Sequence, residues 1–380
     1  MEIIFWIFFG VFVYTYIGYP LALFFIGSLV ARKEAHMSCN LPTVSLIVAA
    51  YNEEKSIRAK IENSLSLNYP KGLLEIIVVS DCSKDKTEDV VKEYLDENIK
   101  LLRLEARAGK TAAQNQGAKI AKGEVLIFSD ATTIYDKGAV NKIIPHFNDK
   151  RVGCVGGRLI FINPRKEENP LAQKNLYERL EEFVRTRETN FKTTFGIDGC
   201  LYAVRKELFR PLPDNLTTDF VLPLVLVEDG YRVVFEKDAL AYEELPVDPG
   251  YEFRRKIRTV RVGLTGLYYM KALLNPLKFG LWIPFGLISH KILRWMSPFL
   301  LLGLAASNLF LLNTPFYLTA LICQVIIYFL AGFGYIFRRN NISRLFSIPL
   351  YFCILNLSAF LGFFEFIKGK RTEIWDTARA

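Results

Sequence analysis

Long apolar runs lie at both ends of the chain, and a mixed segment lies between them. The first run, Ile3–Val30, is almost uncharged and is long enough to cross a hydrocarbon core of about 30 Å. Three later runs are also long enough to span, at Leu293–Leu312, Phe316–Phe337 and Leu345–Ile367. The pattern predicts an amino-terminal transmembrane helix over residues 1–31 and carboxy-terminal transmembrane helices over residues 291–367.

Short apolar runs alternate with helical patterns between residues 41 and 250. The apolar runs predict buried strands at Thr43–Ala49, Leu74–Ser80, Ile99–Leu104 and Glu124–Ser129. The periodic stretches predict helices at Glu53–Leu67, Asp85–Glu97 and Lys110–Ala121. Such alternation favours a largely parallel sheet with both faces covered. Ligands bind beyond the carboxyl ends of the strands in sheets of this kind.

A basic amphipathic stretch separates this domain from the later apolar runs. Apolar residues recur at helical spacing along Glu252–Leu274, at Phe253, Ile257, Val260, Leu264 and Leu267. Arginine and lysine side chains between residues 254 and 261 flank that stripe. We therefore expect amphipathic helices at the membrane interface over residues 251–290. A core helix with a solvated charged face is the alternative.

Composition agrees with a membrane protein that carries a water-soluble domain. Hydrophobic residues make up 51% of the chain and charged residues 23%. The net charge of +9 suits either nucleic acid or an anionic membrane surface. The sequence has no zinc-finger spacing and no long basic tail, so it favours membrane lipids as partners over nucleic acid. The six cysteines are scattered, which indicates reduced thiols rather than a disulfide framework.

Basic residues beside the apolar runs predict the orientation of the chain. Arg32 and Lys33 follow the first run, so the positive-inside rule places the amino terminus outside and the next domain in the cytosol. Arg338 and Arg339 predict a cytosolic turn between the last two runs. Four spans would then place the basic tail, residues 368–380, outside the cell membrane, against the same rule. Either the tail lies outside or one late run is re-entrant.

Carboxylates follow three of the four predicted strands. Glu53 follows the first strand, Asp81 the second and Asp130 the fourth. Like charges at one sheet edge repel and are costly to desolvate, so a bound cation or a hydrogen-bonding ligand would resolve the conflict. Asp81 could accept the imide N–H of uracil, and Asp130 could hold a divalent metal against a diphosphate. Helix capping is the alternative, and it suits Ser83 or Asp85 better than Asp81.

These segments resemble the family 2 glycosyltransferases. The motifs that carry the resemblance run in order from Thr43 to Gly263: VSLIVAAYNEE, IIVVSDCSKDKT, RAGKTAAQNQGAKIAKGEVLIFSDA, GIDGCLYAVRKELF, TTDFVLPL, GYRVVFEKDALAYEE and EFRRKIRTVRVG. The flanking apolar runs resemble the membrane-bound branch, which includes cellulose, hyaluronan and poly-N-acetylglucosamine synthases. The resemblance implies an α/β GT-A domain, the Rossmann-like fold of nucleotide-diphospho-sugar transferases, plus transmembrane α-helices.

The resemblance also implies roles for individual residues. Donor-binding positions would be Ala49, Tyr51, Glu53, Asp81, Lys110, Asp130 and Arg258. Acceptor-binding positions would be Gly196, Asp198, Gly199 and Arg255. Asp219 would be the general base, and Asp130 the ligand of Mg²⁺ or Mn²⁺. Inverting transfer is one displacement that needs such a base and charge stabilisation of the leaving diphosphate, although Asp219 could instead cap the helix that follows it.

Two departures from the family pattern bear on the product. Thr132 stands where the metal-binding D-x-D motif has its second carboxylate. The Q-x-x-R-W motif reads Arg255-Lys256-Ile257-Arg258-Thr259 and lacks both glutamine and tryptophan. The sequence therefore predicts a non-processive enzyme that moves sugar from a nucleotide sugar, with UDP expected, to a lipid-linked or saccharide acceptor.

Other functions remain open at this point. A processive polysaccharide synthase with its own channel is the alternative within the family, and a nucleotidyltransferase is another enzyme class. A nucleotide-sensing membrane transporter is disfavoured because Lys291, Arg294 and Glu365 fall near the ends of the predicted spans, whereas polar conduits carry ionisable groups inside the membrane. We also expect no ligand role for His36, His146 and His290.

Overall fold

The computed structural model describes residues 1–28, 40–96, 98–162, 174–244, 249–337 and 343–370. Several residues used in the sequence-based predictions lie outside these ranges, namely Arg32, Lys33, His36, Cys39, Arg338, Arg339 and the tail from Arg371. The other five cysteines are free thiols, as expected for a reduced domain.

One mixed sheet of eight strands forms the centre of the soluble domain, in the order β3-β2-β1-β4-β7-β6-β8-β5. The strands are β1 (Val44–Ala50), β2 (Leu74–Ser80), β3 (Ile99–Arg103), β4 (Val125–Asp130), β5 (Ile134–Tyr135), β6 (Val152–Ile162), β7 (Leu201–Arg205) and β8 (Arg232–Glu244). The first four strands are parallel, as predicted. The prediction of a largely parallel sheet fails beyond them, because β7 runs antiparallel between β4 and β6.

The helices of the domain cover both faces of this sheet. They are α3 (Ile57–Leu65), α4 (Thr87–Lys92), α5 (Lys110–Ile120), α6 (Ala139–Ile143), α7 (Lys174–Phe191) and α8 (Thr218–Glu228). All seven residues of β1 are buried, and they alternate between two cores. Leu46 and Val48 face one core, and Ile47 and Ala49 face the other, as the two-residue period of a strand requires.

The second core continues into the membrane-proximal helices. These are α1 (Glu2–Val13), α2 (Tyr19–Ser28), α9 (Pro249–Tyr269), α10 (Pro276–Phe279), α11 (Trp282–Leu287), α12 (Leu293–Leu309), α13 (Pro315–Ile336) and α14 (Ser343–Ile367). Met270, Leu273, Ile283 and Leu287 pack with β1, β2 and β4 residues in one buried cluster. The soluble domain is therefore joined to the membrane helices by a shared apolar core.

Four helices are long and apolar enough to cross a membrane, at Glu2–Gly27, Trp282–Leu309, Pro315–Ile336 and Phe346–Ile367. The second of these begins at Trp282, whereas the sequence pattern predicted Leu293. The difference arises because α11 and α12 are joined by a π-helical turn, Ile288–Ile292, that carries charged side chains. Lys291 and Arg294 therefore lie well inside this helix rather than near its end.

Helices α9 and α14 lie side by side and run in the same direction. Val260 and Leu264 of α9 pack with Ala359 of α14 in one cluster. Further along, Glu365 lies 3.6 Å from Arg261. On its other side, α9 contacts the soluble domain, because a Cβ atom at Gly266 would lie 2.7 Å from Val221 of α8. Helix α9 thus lies between α14 and the soluble domain.

Lys60 of α3 is fully buried beneath the sheet edge. Its Nζ donates to the Thr133 carbonyl at 2.8 Å and lies 3.6 Å from the centre of the Tyr135 ring. Burial lowers the pKa of Lys60 to about 7, although Cys200 and Asp130 act in the opposite direction. The unfolded chain should keep the ordinary lysine pKa of about 10.4, so it binds more protons than the folded protein between these two values.

Unfolding should therefore become harder as pH rises from 7 towards 10, since stability increases wherever the unfolded state binds more protons. Lys60→Met lacks this pH-dependent contribution. The melting temperature of wild type, relative to that of the variant, should therefore rise from pH 7 to pH 9. Thermal unfolding in detergent measures both proteins. Lys55→Met, at an exposed lysine, should keep the pH dependence of wild type. Parallel curves for wild type and Lys60→Met would contradict the assignment.

Candidate active site

The predicted carboxylate loops meet at one edge of the sheet. Ala49 pairs with Asp130 in the register of β1 and β4, and the Asp81 amide donates to the Ala50 carbonyl at 2.9 Å. Asp81 and Glu53 therefore follow neighbouring strands at the edge where β4 ends at Asp130. The Ala49 side chain is fully buried in the core, so Ala49 can contact a ligand only through its backbone.

Tyr51 and Glu53 lie in a loop that side-chain hydrogen bonds hold in place. Asn52 adopts a positive φ of 51°, which asparagine tolerates better than most residues. Its amide donates to Ser83 Oγ at 3.1 Å, and the Glu53 amide donates to Thr87 Oγ1 at 2.7 Å. The Arg107 guanidinium stacks 3.8 Å from the centre of the Tyr51 ring. Sequence analysis had not identified this contact, which joins the first loop to the loop before α5.

Asp81 holds the loop that precedes α5. Its Oδ1 accepts from the Ala108 amide at 2.7 Å and its Oδ2 from the Gly109 amide at 2.9 Å. The side chain is fully buried. Gly109 has a φ of +96° at the start of α5, a conformation that favours glycine. Asp81 thereby fixes the start of α5, and its contact with a uracil base stays a prediction.

Lys110 connects the end of β4 to the loop that carries Gly199. Its Nζ forms an ion pair with Asp130 and donates to the Gly199 carbonyl at 3.2 Å. Burial alone would lower the pKa of Lys110, but Asp130 and Asp219 raise it above its usual value. The lysine is therefore held as a cation between two carboxylates.

Asp219 lies at the start of α8 with its carboxylate against Gly199. A Cβ atom at residue 199 would come within 2.4 Å of Asp219 Oδ2, so this approach requires glycine. Burial and Asp130 raise the pKa of Asp219, and Lys110 and Arg258 partly offset them. A carboxylate with a raised pKa beside a half-buried loop has the properties of a general base.

The predicted acceptor loop is fixed by residues that the motifs did not include. Asp198 pairs with Arg185 of α7 at 2.9 Å. Gly196 lies so close to the Lys291 side chain that an added Cβ would be 2.6 Å from its Nζ. The loop beneath the predicted acceptor thus contacts a membrane-helix lysine. Their sequence separation, and the absence of any shared motif, explains why sequence analysis missed Arg185 and Lys291.

The basic residues of α9 divide into two groups. Arg255 binds both oxygens of Glu252, at 2.8 and 3.0 Å, so it stabilises the start of the helix. Arg258 is half-buried and close enough to Asp219 to lower its pKa. Thr259 uses its hydroxyl within the helix, donating to the Arg255 carbonyl at 2.9 Å. Arg258 therefore lies near Asp219, and a donor contact of Arg258 and an acceptor contact of Arg255 both stay predictions.

A divalent metal fits this site only together with a ligand that brings oxygens of its own. Asp130 is the carboxylate at the motif position, and the Thr132 hydroxyl donates to Glu243 Oε1 at 3.1 Å. The described part of the chain has no group of three histidine, cysteine or carboxylate side chains that could hold a metal ion. Hard cations take six or more oxygen ligands, so a donor diphosphate would have to supply several of them.

His290, for which no role was expected, lies at the centre of a buried ion cluster. Its Nδ1 is 2.8 Å from Glu188 and its Nε2 is 2.9 Å from Glu181. Nearby cations overcome the effect of burial and hold the pKa of both glutamates below their usual value. The His290 ring thus joins two buried glutamates of α7 through both of its nitrogens. The sequence did not suggest these contacts, and the expectation that His290 has no ligand role stays a prediction.

Comparison with known proteins identifies the domain. Residues 45–211 match the model described as Glycosyl transferase family 2. A beta-monoglucosyldiacylglycerol synthase from Trichormus variabilis is 34% identical over 137 residues, which are 35% of this chain and 29% of that protein. A poly-beta-1,6-N-acetyl-D-glucosamine synthase from Staphylococcus aureus is 27% identical over 233 residues, 59% of this chain and 55% of the relative.

A solved structure resembles the chain over almost its whole length. The mannosyltransferase PcManGT from Pyrobaculum calidifontis, in complex with GDP-Man and Mn²⁺, aligns with 97% of this chain and 100% of its own at a TM-score of 0.70 and 20% identity. Similarity at this identity establishes the fold and leaves the substrate open. Residues 45–211 therefore form a family 2 glycosyltransferase domain of the GT-A fold, and the chain joins this domain to helices long and apolar enough to cross a membrane.

Proposed function

We propose that the protein is an inverting glycosyltransferase that takes a sugar from a nucleotide sugar, with a UDP-sugar expected, at the cytosolic face of the cell membrane. The observation that carries the proposal is the position of Asp219, whose carboxylate lies against Gly199 and opposite the Lys110–Asp130 ion pair. A single displacement needs a base on one side of the reacting carbon and charge stabilisation on the other.

Asp219 acts as the base that takes the acceptor hydroxyl proton. Its raised pKa improves its strength as a base, and Lys110 keeps enough of the carboxylate ionised to act. Gly199 allows the Asp219 carboxylate to approach this loop because it has no side chain. Arg258, on the same side as Asp219, can bind phosphate oxygens through its planar guanidinium group.

Tyr51, Glu53 and Arg107 line the side of the site where the nucleotide binds. Asp130 would hold Mg²⁺ or Mn²⁺ together with the donor diphosphate, and the metal would neutralise part of the leaving group's charge. Lys110 then exchanges its pairing with Asp130 for phosphate oxygens. PcManGT, which shares the fold, is described with GDP-Man and Mn²⁺, which supports metal dependence here.

The acceptor is a lipid-linked or saccharide molecule, and transfer is non-processive. Thr259 is exposed and uses its hydroxyl within α9, so it offers no ring on which a sugar could stack. One relative is named for a sugar on diacylglycerol, which supports a lipid acceptor. Another is named for a polymer, so a processive synthase is the second candidate.

A nucleotide-sensing transporter is less well supported. Lys291 and Arg294 do lie inside a candidate span, contrary to the sequence-based prediction. Both face Glu181 of the soluble domain, however, at 3.6 Å for Lys291 and in direct contact for Arg294. Charges that pair with the catalytic domain serve to join it to the membrane, and they do not form a transport path.

The packing of α14 supports a topology with three spans. Helix α9 contacts the soluble domain through Gly266, so it lies at the cytosolic surface. Because α14 follows α9 in the same direction, and its Phe360, Phe363 and Phe364 all pack on Phe299, α14 lies in the membrane plane. Three spans then place Lys368 and Lys370 in the cytosol, in agreement with the positive-inside rule.

The metal requirement can be tested at Asp130. Asp130→Asn should abolish release of nucleoside diphosphate from nucleotide sugars, since it removes the carboxylate expected to bind the metal. EDTA should have the same effect on wild type, and Mg²⁺ or Mn²⁺ should restore activity. Asp89→Asn, at an exposed carboxylate of α4, is the matched control and should behave as wild type. Full activity in excess EDTA would disprove the metal assignment.

The role of Asp219 as base predicts a loss of turnover without a loss of nucleotide affinity. Asp219→Asn should lower kcat by roughly 100- to 10,000-fold, because an amide cannot take the proton. Binding of nucleoside diphosphate, measured by calorimetry, should change little. Asp214→Asn, an exposed aspartate just before α8, should retain activity. An equal loss of nucleotide binding in Asp219→Asn would instead show a structural or donor-binding role.

Product length separates the two candidate functions. With excess labelled donor and a membrane lipid extract, the purified enzyme should yield a ladder of short products, because Thr259 offers little surface to retain a sugar ring. Gel or thin-layer separation sizes the products. Early high-molecular-weight polymer, with most of the acceptor unused, would favour the processive synthase.

The three-span topology predicts a cytosolic carboxyl terminus. A green fluorescent protein fused after the tail should fluoresce, and alkaline phosphatase at the same place should be inactive, since each reports one side of the membrane. Phosphatase inserted at Leu312, between α12 and α13, should be active because that loop lies outside. An active phosphatase at the tail would show that α14 spans the membrane.

A further inference from the structure

A polar cavity lies where the soluble domain meets the membrane helices. It has a volume of about 110 Å³, which leaves room for several water molecules or a small polyatomic group. Its walls come from the first span, α7, α9, α12 and α14, and they include Tyr16, Lys256, Lys291, Arg294 and Asn356. The cavity is therefore bounded by cytosolic and membrane elements alike.

Positive charge exceeds negative charge around this cavity. Glu181 is the carboxylate in its wall, and it also contacts Arg185 and His290, at 3.1 and 2.9 Å. Lys291 lies 3.6 Å from the same carboxylate. Glu188 pairs with His290 and Asp198 with Arg185, but Glu181 cannot by itself neutralise both Lys291 and Arg294. Buried charge without a partner is costly, so the cavity favours an anion.

Lys256 is poorly compensated as well. Its ammonium group lies 3.9 Å from Glu252, which already binds Arg255 through both of its oxygens. Burial and the neighbouring Arg255 lower the pKa of Lys256, and the opposing effect of Glu252, Glu178 and Glu181 does not overcome them.

Buried donors at the cavity also lack acceptors. Arg294 is 9% exposed, and its Nε and Nη2 have no hydrogen-bond partner among the described residues. Ser358 is fully buried, lines the same cavity, and its Oγ is likewise unpartnered there. Buried donors without an acceptor destabilise the folded protein, because they have lost their hydrogen bonds to water. Two guanidinium N–H groups and a hydroxyl thus call for a ligand with several acceptor oxygens.

The cavity is close to the acceptor side of the catalytic site. Lys291 contacts Gly196 of the acceptor loop, and Arg185 links Glu181 to Asp198. The Trp295 ring, next to Arg294, lies 5.8 Å from the Phe220 ring, which follows Asp219. A ring in the cavity wall therefore neighbours the residue that follows Asp219.

We propose that this cavity binds a phosphate group carried by a lipid of the cytosolic leaflet, and that this lipid is the acceptor. The lipid source follows from the apolar helices that form part of the wall, since Tyr16 and Asn356 belong to candidate membrane helices. The assignment of the lipid as acceptor rests on the proposed transfer function, whereas the binding site itself does not.

Binding can be measured on the full chain in neutral detergent with three probes. Phosphatidic acid carries a phosphate on a lipid, diacylglycerol is the same lipid without it, and inorganic phosphate lacks the lipid. Thermal unfolding should show stabilisation by phosphatidic acid and little by the other two at equal concentration. If diacylglycerol stabilised the protein as much as phosphatidic acid, the cavity would not recognise phosphate. If inorganic phosphate stabilised it as much, the phosphate would not need to come from a lipid.

Matched variants locate the effect in the cavity. Lys256→Gln should weaken phosphatidic acid binding about tenfold, since it removes one charged contact. Ser358→Ala, a milder change, should weaken it by roughly two- to tenfold and keeps the test valid if the first variant unfolds. Lys271→Gln alters an exposed lysine just beyond α9 and should bind as wild type. An equal loss in Lys271→Gln would indicate a general surface charge effect and refute the site.

Turnover tests the acceptor assignment separately. With a membrane lipid extract as acceptor source, Lys256→Gln should raise the KM for the extract, whereas Lys271→Gln should keep the KM of wild type. Absence of donor hydrolysis in wild type would count against the proposed transfer function while the binding result still stands. An unchanged KM alongside weakened phosphatidic acid binding would show that the bound lipid is not the acceptor.

Discussion

The pairing of buried charges between α7 and the membrane helices is the constraint on which the arrangement of the molecule depends. The His290 ring lies between Glu181 and Glu188, and all three side chains are largely or fully buried. Removing one partner from such a pair typically costs about 3–5 kcal/mol. The soluble domain therefore cannot move away from α12 without exposing or orphaning these charges. Tyr19 of α2 donates to Glu188 at 2.7 Å, so the first membrane segment is held by the same cluster.

Buried charges of opposite sign are also paired in the candidate active site, where fewer groups take part. Lys110 contacts Asp130, and the negative charges of Asp130 and Asp219 raise the pKa of Lys110. Two carboxylates therefore share one cation. This leaves negative charge in excess on the donor side, which a metal ion can neutralise. The cavity beside α12 has the opposite imbalance, with cations in excess. The two regions would therefore favour ligands of opposite charge, and the loop from Gly196 to Gly199 contacts both, through Lys291 and through Asp219.

The sequence predicted those parts of the fold that depend on local pattern. The first four strands, the loops carrying Asp81 and Asp130, and the amphipathic helix α9 were recognisable because their periodicity and turn residues are contained within short segments. Contacts between distant segments were not recognisable. His290 and Glu188 are 102 positions apart, and nothing in the sequence around His290 marks a partner. For the same reason the sequence pattern placed Lys291 and Arg294 near the end of a span, whereas they lie inside the helix that starts at Trp282.

The short path between cavity and base limits what the acceptor can be. Arg294 and Asp219 each precede an aromatic residue, and these two rings, Trp295 and Phe220, are in contact range at 5.8 Å. An acceptor whose phosphate occupies the cavity must therefore place its hydroxyl near Asp219 across little more than that pair. A group close to the lipid phosphate can reach, whereas the growing end of a long chain would lie far beyond the base. The phosphate site and the lack of an aromatic ring at Thr259 thus lead to the same expectation, because both favour release after few transfers.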